Sequence, residues 1–209
     1  MIRGLHDWSL AGPRLAPRAR DIVIVLFDAE EPPYFLGPDM GSIRFRASQA
    51  DARGFHAALV MDLVGHDFAL PLPALPNLLV AVGIESSGAL HGLVDACPRP
   101  GRAAAGDRAD DVIGDMSDHH AFRLRSVPYL FLPCGRWAHY HQETDMPDRL
   151  AWVKMALIRD YVVSLAGAMA IGLQALGCNG QRATPAIAAS ANRGELVCLP
   201  IEGPSRSAP

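Results

Sequence analysis

Carboxylate and imidazole side chains recur near or just after the ends of the apolar runs of this 209-residue chain. They are Asp28, Glu30, Glu31, Asp62, Glu85, His139 and His141. Several carboxylates gathered in one place repel each other and raise one another's pKa unless a cation lies among them. Carboxylate oxygen and imidazole nitrogen together suit zinc, with manganese or cobalt as substitutes. These residue types indicate a divalent-metal site if the fold brings them together.

Four apolar runs of strand type must position these side chains. They cover residues 21–27, 56–64, 78–84 and 127–133. The first run lacks polar alternation, which is typical of a strand covered on both faces. Segments of helical type alternate with the runs, over residues 40–53, 88–96, 118–125 and 149–176. This order predicts an α/β fold, a three-layer sandwich with a largely parallel, mixed sheet whose strand ends form the ligand crevice.

The chain divides into three parts. Residues 1–20 contain Pro13 and Pro17, so we expect an irregular amino-terminal segment. Residues 21–177 should form the α/β domain. Residues 178–209 are rich in Ala, Ser, Gly and Pro and predict a flexible tail.

Composition and charge restrict the partners and the compartment. The net charge of −3 and the lack of a basic stripe argue against a nucleic-acid partner. The four cysteines form no C-x-x-C pair and predict reduced thiols. The sequence shows no secretory signal, and its longest apolar stretch, residues 162–176, is too short for a membrane span. We therefore expect a cytoplasmic protein without a membrane partner.

Four segments, taken in order, resemble the M28 family of co-catalytic zinc aminopeptidases, whose relatives include the glutaminyl cyclases. The segments are DIVIVLFDAEEPPYFLGPDMGS, VMDLVG, SDHHAF and VPYLFLPCGRWAHYHQETDMPDRL. The resemblance covers about residues 20–150. It implies a zinc-exopeptidase-like fold, a peptide substrate, hydrolysis of amino-terminal peptide bonds and, in an intact site, two zinc ions.

The resemblance also implies roles for four residues. Glu30 resembles the general base that takes a proton from the metal-bound water, and Glu31 resembles a metal ligand. His141 resembles the imidazole ligand of the same metal, whereas Asp62 resembles a ligand of the second metal. The alternatives are a solvated loop for the glutamates, a turn cap for Asp62 and a surface position for His141.

Three further residues are expected close to the site. Asp118 resembles a supporting residue, without an implied metal contact. Tyr140 and Trp137 are candidates for the substrate pocket, although plain packing explains aromatic residues near a strand end equally well.

Two ligands of the family pattern have no counterpart in residues 1–20. A His of an H-x-D motif and a bridging Asp should precede the first apolar run, but His6 and Asp7 are adjacent and no D-N-x-S-G turn follows them. Glu31 and His141 then remain on one metal and Asp62 on the other. Alternatively the three converge on a single zinc ion. One bound zinc, or none, is therefore expected here.

The same shortfall makes the expected fold incomplete at its amino-terminal side. Apolar surface should be left bare, and a homo-oligomer or a complementing chain could cover the sheet. A gene model that starts at an internal Met is the other explanation. Two function classes follow: a zinc metallo-aminopeptidase, impaired in this chain, or a non-catalytic remnant of the fold with a partial metal site or a binding role.

Overall fold

The computed structural model describes residues 20–49, 54–66, 78–97, 104–107, 115–171 and 195–200. The elements, in chain order, are α1 (Gly41–Ser48), β1 (Ala58–Val60), β2 (Leu78–Ala81), α2 (Gly88–Ala96), β3 (Ala104–Asp107), α3 (His119–Arg123), β4 (Tyr129–Phe131), α4 (Trp152–Ile171) and β5 (Glu195–Pro200). Short 3-10 turns lie at Ile84–Ser86 and Pro147–Arg149. The predicted α/β class is confirmed. The three-layer arrangement stays a prediction.

The described strands form two small sheets of different type. β1 and β4 pair in parallel, with Ala58 opposite Tyr129 and Val60 opposite Phe131. β2, β5 and β3 form an antiparallel sheet in that order. An antiparallel bridge between Val82 and Phe131 joins the two sheets. The sheet is therefore mixed, and its parallel part comes from the buried runs that the sequence predicts.

Helix α4 covers one face of this sheet and forms the main core. Its predicted range of 149–176 is confirmed from Trp152 to Ile171, where the described segment ends. The core side chains come from α2, α4 and the strands: Leu79, Leu90, Leu93, Val94, Leu130, Leu132, Ile158, Tyr161, Val162 and Leu165. A second cluster packs Phe122 against β1 and β4. The other three predicted helices correspond to α1, α2 and α3, with shorter bounds for α1 and α3.

The prediction of a buried strand over residues 21–27 is wrong. Within the described part of the chain this run forms no strand ladder. Ile22, Val23, Ile24 and Leu26 are 41%, 62%, 41% and 83% exposed. A cleft of about 1350 Å³ separates the run from β1, so the hydrogen-bonding neighbour that a covered strand requires is not beside it.

Two stretches expected to be irregular contain strands. β3 falls within residues 98–108, a stretch whose Pro, Gly, Ala and Arg content predicts an exposed loop, and β5 falls within the predicted tail. β5 is stabilised by pairing with both β2 and β3, a long-range contact that local composition does not reveal. The predicted irregular segment 1–19, and the tail apart from β5, lie outside the described residues. Cys134 is a buried free thiol.

The described helices include none with the length and apolar character needed to cross a lipid bilayer.

Candidate active site

The loop that carries Glu30 and Glu31 folds back against the start of α1. The Gly41 amide donates to the Asp28 carbonyl at 3.0 Å, and successive turns lie between these two residues. A Cβ atom on residue 41 would lie 2.6 Å from the Asp28 carbonyl oxygen, so the approach requires glycine. The glutamate loop is thus held close to the helix start. Glu30 is half-buried there and Glu31 is exposed.

Glu30 lies within a group of carboxylates drawn from separate segments. Its pKa is raised from 4.5 to about 7, first by burial and then by the negative charges of Asp62, Glu31 and Asp118. Burial alone raises a carboxyl pKa, and the additional effect of these three charges requires them to lie close to Glu30. The fold therefore brings Asp62 and Asp118 to the glutamate loop.

Asp62 reaches the site from the carboxyl end of β1, as the strand-end argument predicts. Its Oδ1 accepts a hydrogen bond from the Leu63 amide at 2.7 Å. Leu63 has a φ of 52°, so this bond supports a turn in the left-handed region. Asp62 thus caps its own turn, which was the alternative to a metal-binding role for this residue. It also contributes negative charge next to Glu30.

Asp118 directly precedes α3, but its side chain makes no capping bond to that helix. Burial raises the pKa of Asp118, the Ser42 hydroxyl opposes the rise, and the charge of Asp62 adds to it. Ser42 is fully buried at the start of α1. Sequence reasoning missed Ser42, because a serine near a helix start is ordinarily explained by capping.

Glu31 and His141 form the most direct contact of the site. The Glu31 Oε1 atom lies 3.0 Å from the His141 Nε2 atom, although the two residues are 110 positions apart. Both side chains are more than half exposed. His141 has a φ of 58°, a left-handed conformation that costs free energy for a non-glycine residue. The loop after β4 therefore holds the imidazole toward the glutamate loop in a strained backbone conformation.

Tyr140 belongs to the same place. The Tyr140 ring stacks on the His141 ring with centroids 3.9 Å apart. The guanidinium carbon of Arg136 lies 5.1 Å from the centroid of the Tyr140 ring. Burial raises the pKa of Tyr140. The charge of Arg136 opposes this rise, while the charges of Glu31, Glu30 and Asp62 add to it. The phenol is thus part of the electrostatic environment of the acidic group.

Trp137 lies farther along the same loop and contacts other residues. Its ring stacks on His66 with centroids 4.8 Å apart and meets His139 edge-on at 4.7 Å. The His66 ring is in turn bonded to the Gly135 carbonyl. These contacts fit the plain-packing interpretation, and a pocket role for Trp137 stays a prediction.

The side chains have the right chemistry for a metal but do not form a complete set of ligands. Over the described ranges, no group of three or more His, Cys, Asp or Glu side chains is placed to hold a metal ion. Glu31 and His141 provide an oxygen and a nitrogen donor at one point, whereas Asp62 bonds to its own turn. Three protein ligands are the usual minimum for zinc. The arrangement supplies two.

Comparison with known proteins agrees with the segments noted in the sequence. The sequence model of peptidase family M28 matches residues 9–166, about three quarters of the chain. No curated protein and no solved structure matches the chain. The matched range includes the Glu30–Glu31 loop, Asp62, Asp118 and the loop of His141. The chain therefore belongs to peptidase family M28, a family of metallopeptidases.

Proposed function

We propose that this chain is an aminopeptidase that hydrolyses the amino-terminal bond of peptides, with Glu30 as its general base. One observation carries the proposal: Glu30 lies in a cluster of carboxylate side chains at the end of a cleft, and its pKa is raised to about 7. A general base works best when its pKa lies near the working pH. Perturbed carboxylates in clefts are also typical of functional sites.

Glu30 can serve both proton transfers of the hydrolysis. Ionised Glu30 takes a proton from the attacking water while the water oxygen bonds to the carbonyl carbon. Glu30 then returns this proton to the leaving nitrogen as the C–N bond breaks. At neutral pH both forms of its carboxyl group are populated, because its pKa is about 7.

The surrounding charge favours an amino-terminal substrate. Glu31, Asp62 and Asp118 all act on Glu30, so the site carries an excess of negative charge. A free α-ammonium group would be attracted to these carboxylates, whereas the carboxylate at the other end of a peptide would be repelled. This asymmetry supports removal of amino-terminal residues.

Zinc is the proposed cofactor, held by Glu31 and His141, with Asp62 as the proposed third ligand. When bound, zinc lowers the pKa of water and polarises a carbonyl. Because the described residues present two donors together rather than three, we expect weak zinc binding. Elemental analysis after equilibrium dialysis tests this. His141→Ala should abolish the bound zinc, and His91→Ala, on α2, is the control.

The activity is tested with an amino-acid arylamide and its N-acetylated counterpart, with and without added zinc. We expect slow turnover of the free-amine substrate only, and a loss of at least about 100-fold in Glu30→Gln. The control is Glu143→Gln, at an exposed position of the His141 loop. Equal rates in wild type and Glu30→Gln would exclude Glu30 as the base.

The incomplete ligand set supports a second candidate, a non-catalytic remnant of the fold with a binding role. A folded, zinc-supplemented chain without detectable turnover would favour this candidate over the aminopeptidase.

A further inference from the structure

Arg136 is an exposed cation on the loop after β4, beside the carboxylates of the candidate active site. The backbone on both sides of it is fixed. The Gly135 carbonyl contacts the His66 ring, and the Trp137 ring stacks on the same His66 ring with centroids 4.8 Å apart. Gly135 has a φ of 83°, in the left-handed region that favours glycine. The base of the Arg136 side chain is therefore held in one place.

The guanidinium group of Arg136 lies between two segments that border the carboxylates. On one side its Nη2 atom lies 3.6 Å from the Sδ atom of Met116, two residues before Asp118. On the other side its carbon atom lies 5.1 Å from the centroid of the Tyr140 ring. The His141 ring fills one face of Tyr140 at 3.9 Å, so the guanidinium occupies the opposite face. Arg136 thus lies on the rim of the site.

The hydrogen-bond donors of Arg136 are largely open. Among the ion pairs of the described part of the chain, none joins Arg136 to a carboxylate. Its one polar contact there is the Met116 thioether, which is a weak acceptor. A guanidinium group with open donors binds a carboxylate through two parallel hydrogen bonds. Arg136 is therefore suited to hold a carboxylate that the ligand brings.

The separation of Arg136 from the acidic side chains sets the length of a ligand that bridges them. Contacts of 5.1, 3.9 and 3.0 Å lead from the guanidinium through the Tyr140 and His141 rings to the Glu31 carboxylate. This path limits the separation of the two charges to about 13 Å, the extended length of about four residues. A longer peptide cannot place both of its ends at these groups while extended.

We propose that Arg136 binds the terminal carboxylate of short peptides, of up to about four residues, whose α-ammonium group lies at Glu30, Glu31 and Asp62. The proposal rests on the aminopeptidase function proposed above and names its substrate class. The carboxylate of a short peptide stays close to the acidic side chains, which repel it, and the charge of Arg136 offsets this repulsion. A longer peptide carries its carboxylate out into solvent, where water and salt screen it.

Peptide acids and their C-terminal amides test the proposal, because the amide lacks the charge that Arg136 binds. For leucine-initiated di-, tri- and tetrapeptides, we expect a kcat/KM about 10-fold higher for the best acid than for its amide. Arg136→Gln should remove this preference, and Arg136→Lys should retain part of it. Arg159→Gln, which removes an exposed arginine of α4 paired with Asp160, is the control and should keep it. An octapeptide and its amide should be hydrolysed equally well.

The ratio of acid to amide separates this role from a structural one. If Arg136 only supported the Tyr140 ring, Arg136→Gln would slow the hydrolysis of both forms alike. Equal kcat/KM for acid and amide at all three short lengths, or a preference unchanged in Arg136→Gln, would overturn the proposal. So would an Arg136-dependent preference for peptide amides with an internal glutamate over those with glutamine, without one for the free acids. That result would assign the guanidinium to a side chain.

Equilibrium binding separates a failure of this proposal from a failure of the proposed function. If the chain hydrolyses no peptide, the aminopeptidase proposal fails, and isothermal titration calorimetry with the same short acids and amides still tests Arg136. We expect a dissociation constant about 10-fold lower for the best acid than for its amide in wild type, and equal constants in Arg136→Gln. Equal constants in wild type, or no binding of any acid, would overturn the role of Arg136.

Discussion

Removing the charge of Glu30 should stabilise the folded protein at alkaline pH. The pKa of Glu30 is about 7 in the folded protein, against an ordinary value of 4.5. At 1.36 kcal/mol for each pKa unit, the fold disfavours the ionised form by about 3.4 kcal/mol. Water still reaches this half-buried carboxyl group and screens its neighbours, so we expect about 1–2 kcal/mol for Glu30→Gln.

The sign follows from proton linkage. Because the folded-state pKa is raised, the contribution of Glu30 to stability is fully present below pH 4.5 and is lost as the pH rises through about 7. The gain in Glu30→Gln over wild type should therefore be larger at about pH 8 than at about pH 5.

Urea denaturation at both pH values, with a chelator present, measures this difference. Glu143→Gln, at an exposed position, is the matched control and should show no such pH-dependent gain. If Glu30→Gln is no more stable than wild type at the alkaline pH, the other carboxylate side chains do not lie as close to Glu30 as the structure indicates. A gain would mark Glu30 as a residue whose charge is retained at a cost in stability, as in many active sites.

Three further predictions concern the support of the site, the core and the pH profile. Gly41→Ala should lose about 1–3 kcal/mol in urea denaturation, because its Cβ atom would lie 2.6 Å from the Asp28 carbonyl oxygen. Gly88→Ala, with open space around the new atom, is the control, and equal losses would contradict the close approach. Phe131→Ala, at a position 1% exposed, should cost about 3–5 kcal/mol, and a loss below about 1 kcal/mol would show that Phe131 is not in the core. The kcat/KM of any arylamide hydrolysis should decrease as the pH is lowered below about 7, because Glu30 must be ionised to accept a proton. A kcat/KM that increases as the pH is lowered below about 6 would exclude Glu30 as the base.

The grouping of the acidic residues could be predicted from the sequence because it depends on strand ends. Glu30 lies just after one apolar run and Asp62 near the end of another, and the structure brings their charges together. The contact between Glu31 and His141 follows from the same rule. The metal-binding roles of these residues stay predictions.

The pairing of the strands could not be predicted in the same way. An apolar run shows that a segment prefers burial, but its hydrogen-bonding neighbours depend on distant parts of the chain. Residues 21–27 are a run of this kind without a ladder in the described structure. β5 is the opposite case, since its pairing with β2 and β3 stabilises a segment of unremarkable composition.

The exposed run from Ile22 to Leu26 also has a consequence for the behaviour of the protein at high concentration. Consecutive β-branched and leucine side chains without proline are the kind of segment that stacks into cross-β fibrils. Asp21 and Asp28 flank the run and act as gatekeepers, since like charges oppose the stacking of identical segments. We therefore expect these two aspartates to oppose cross-β stacking of this run between molecules.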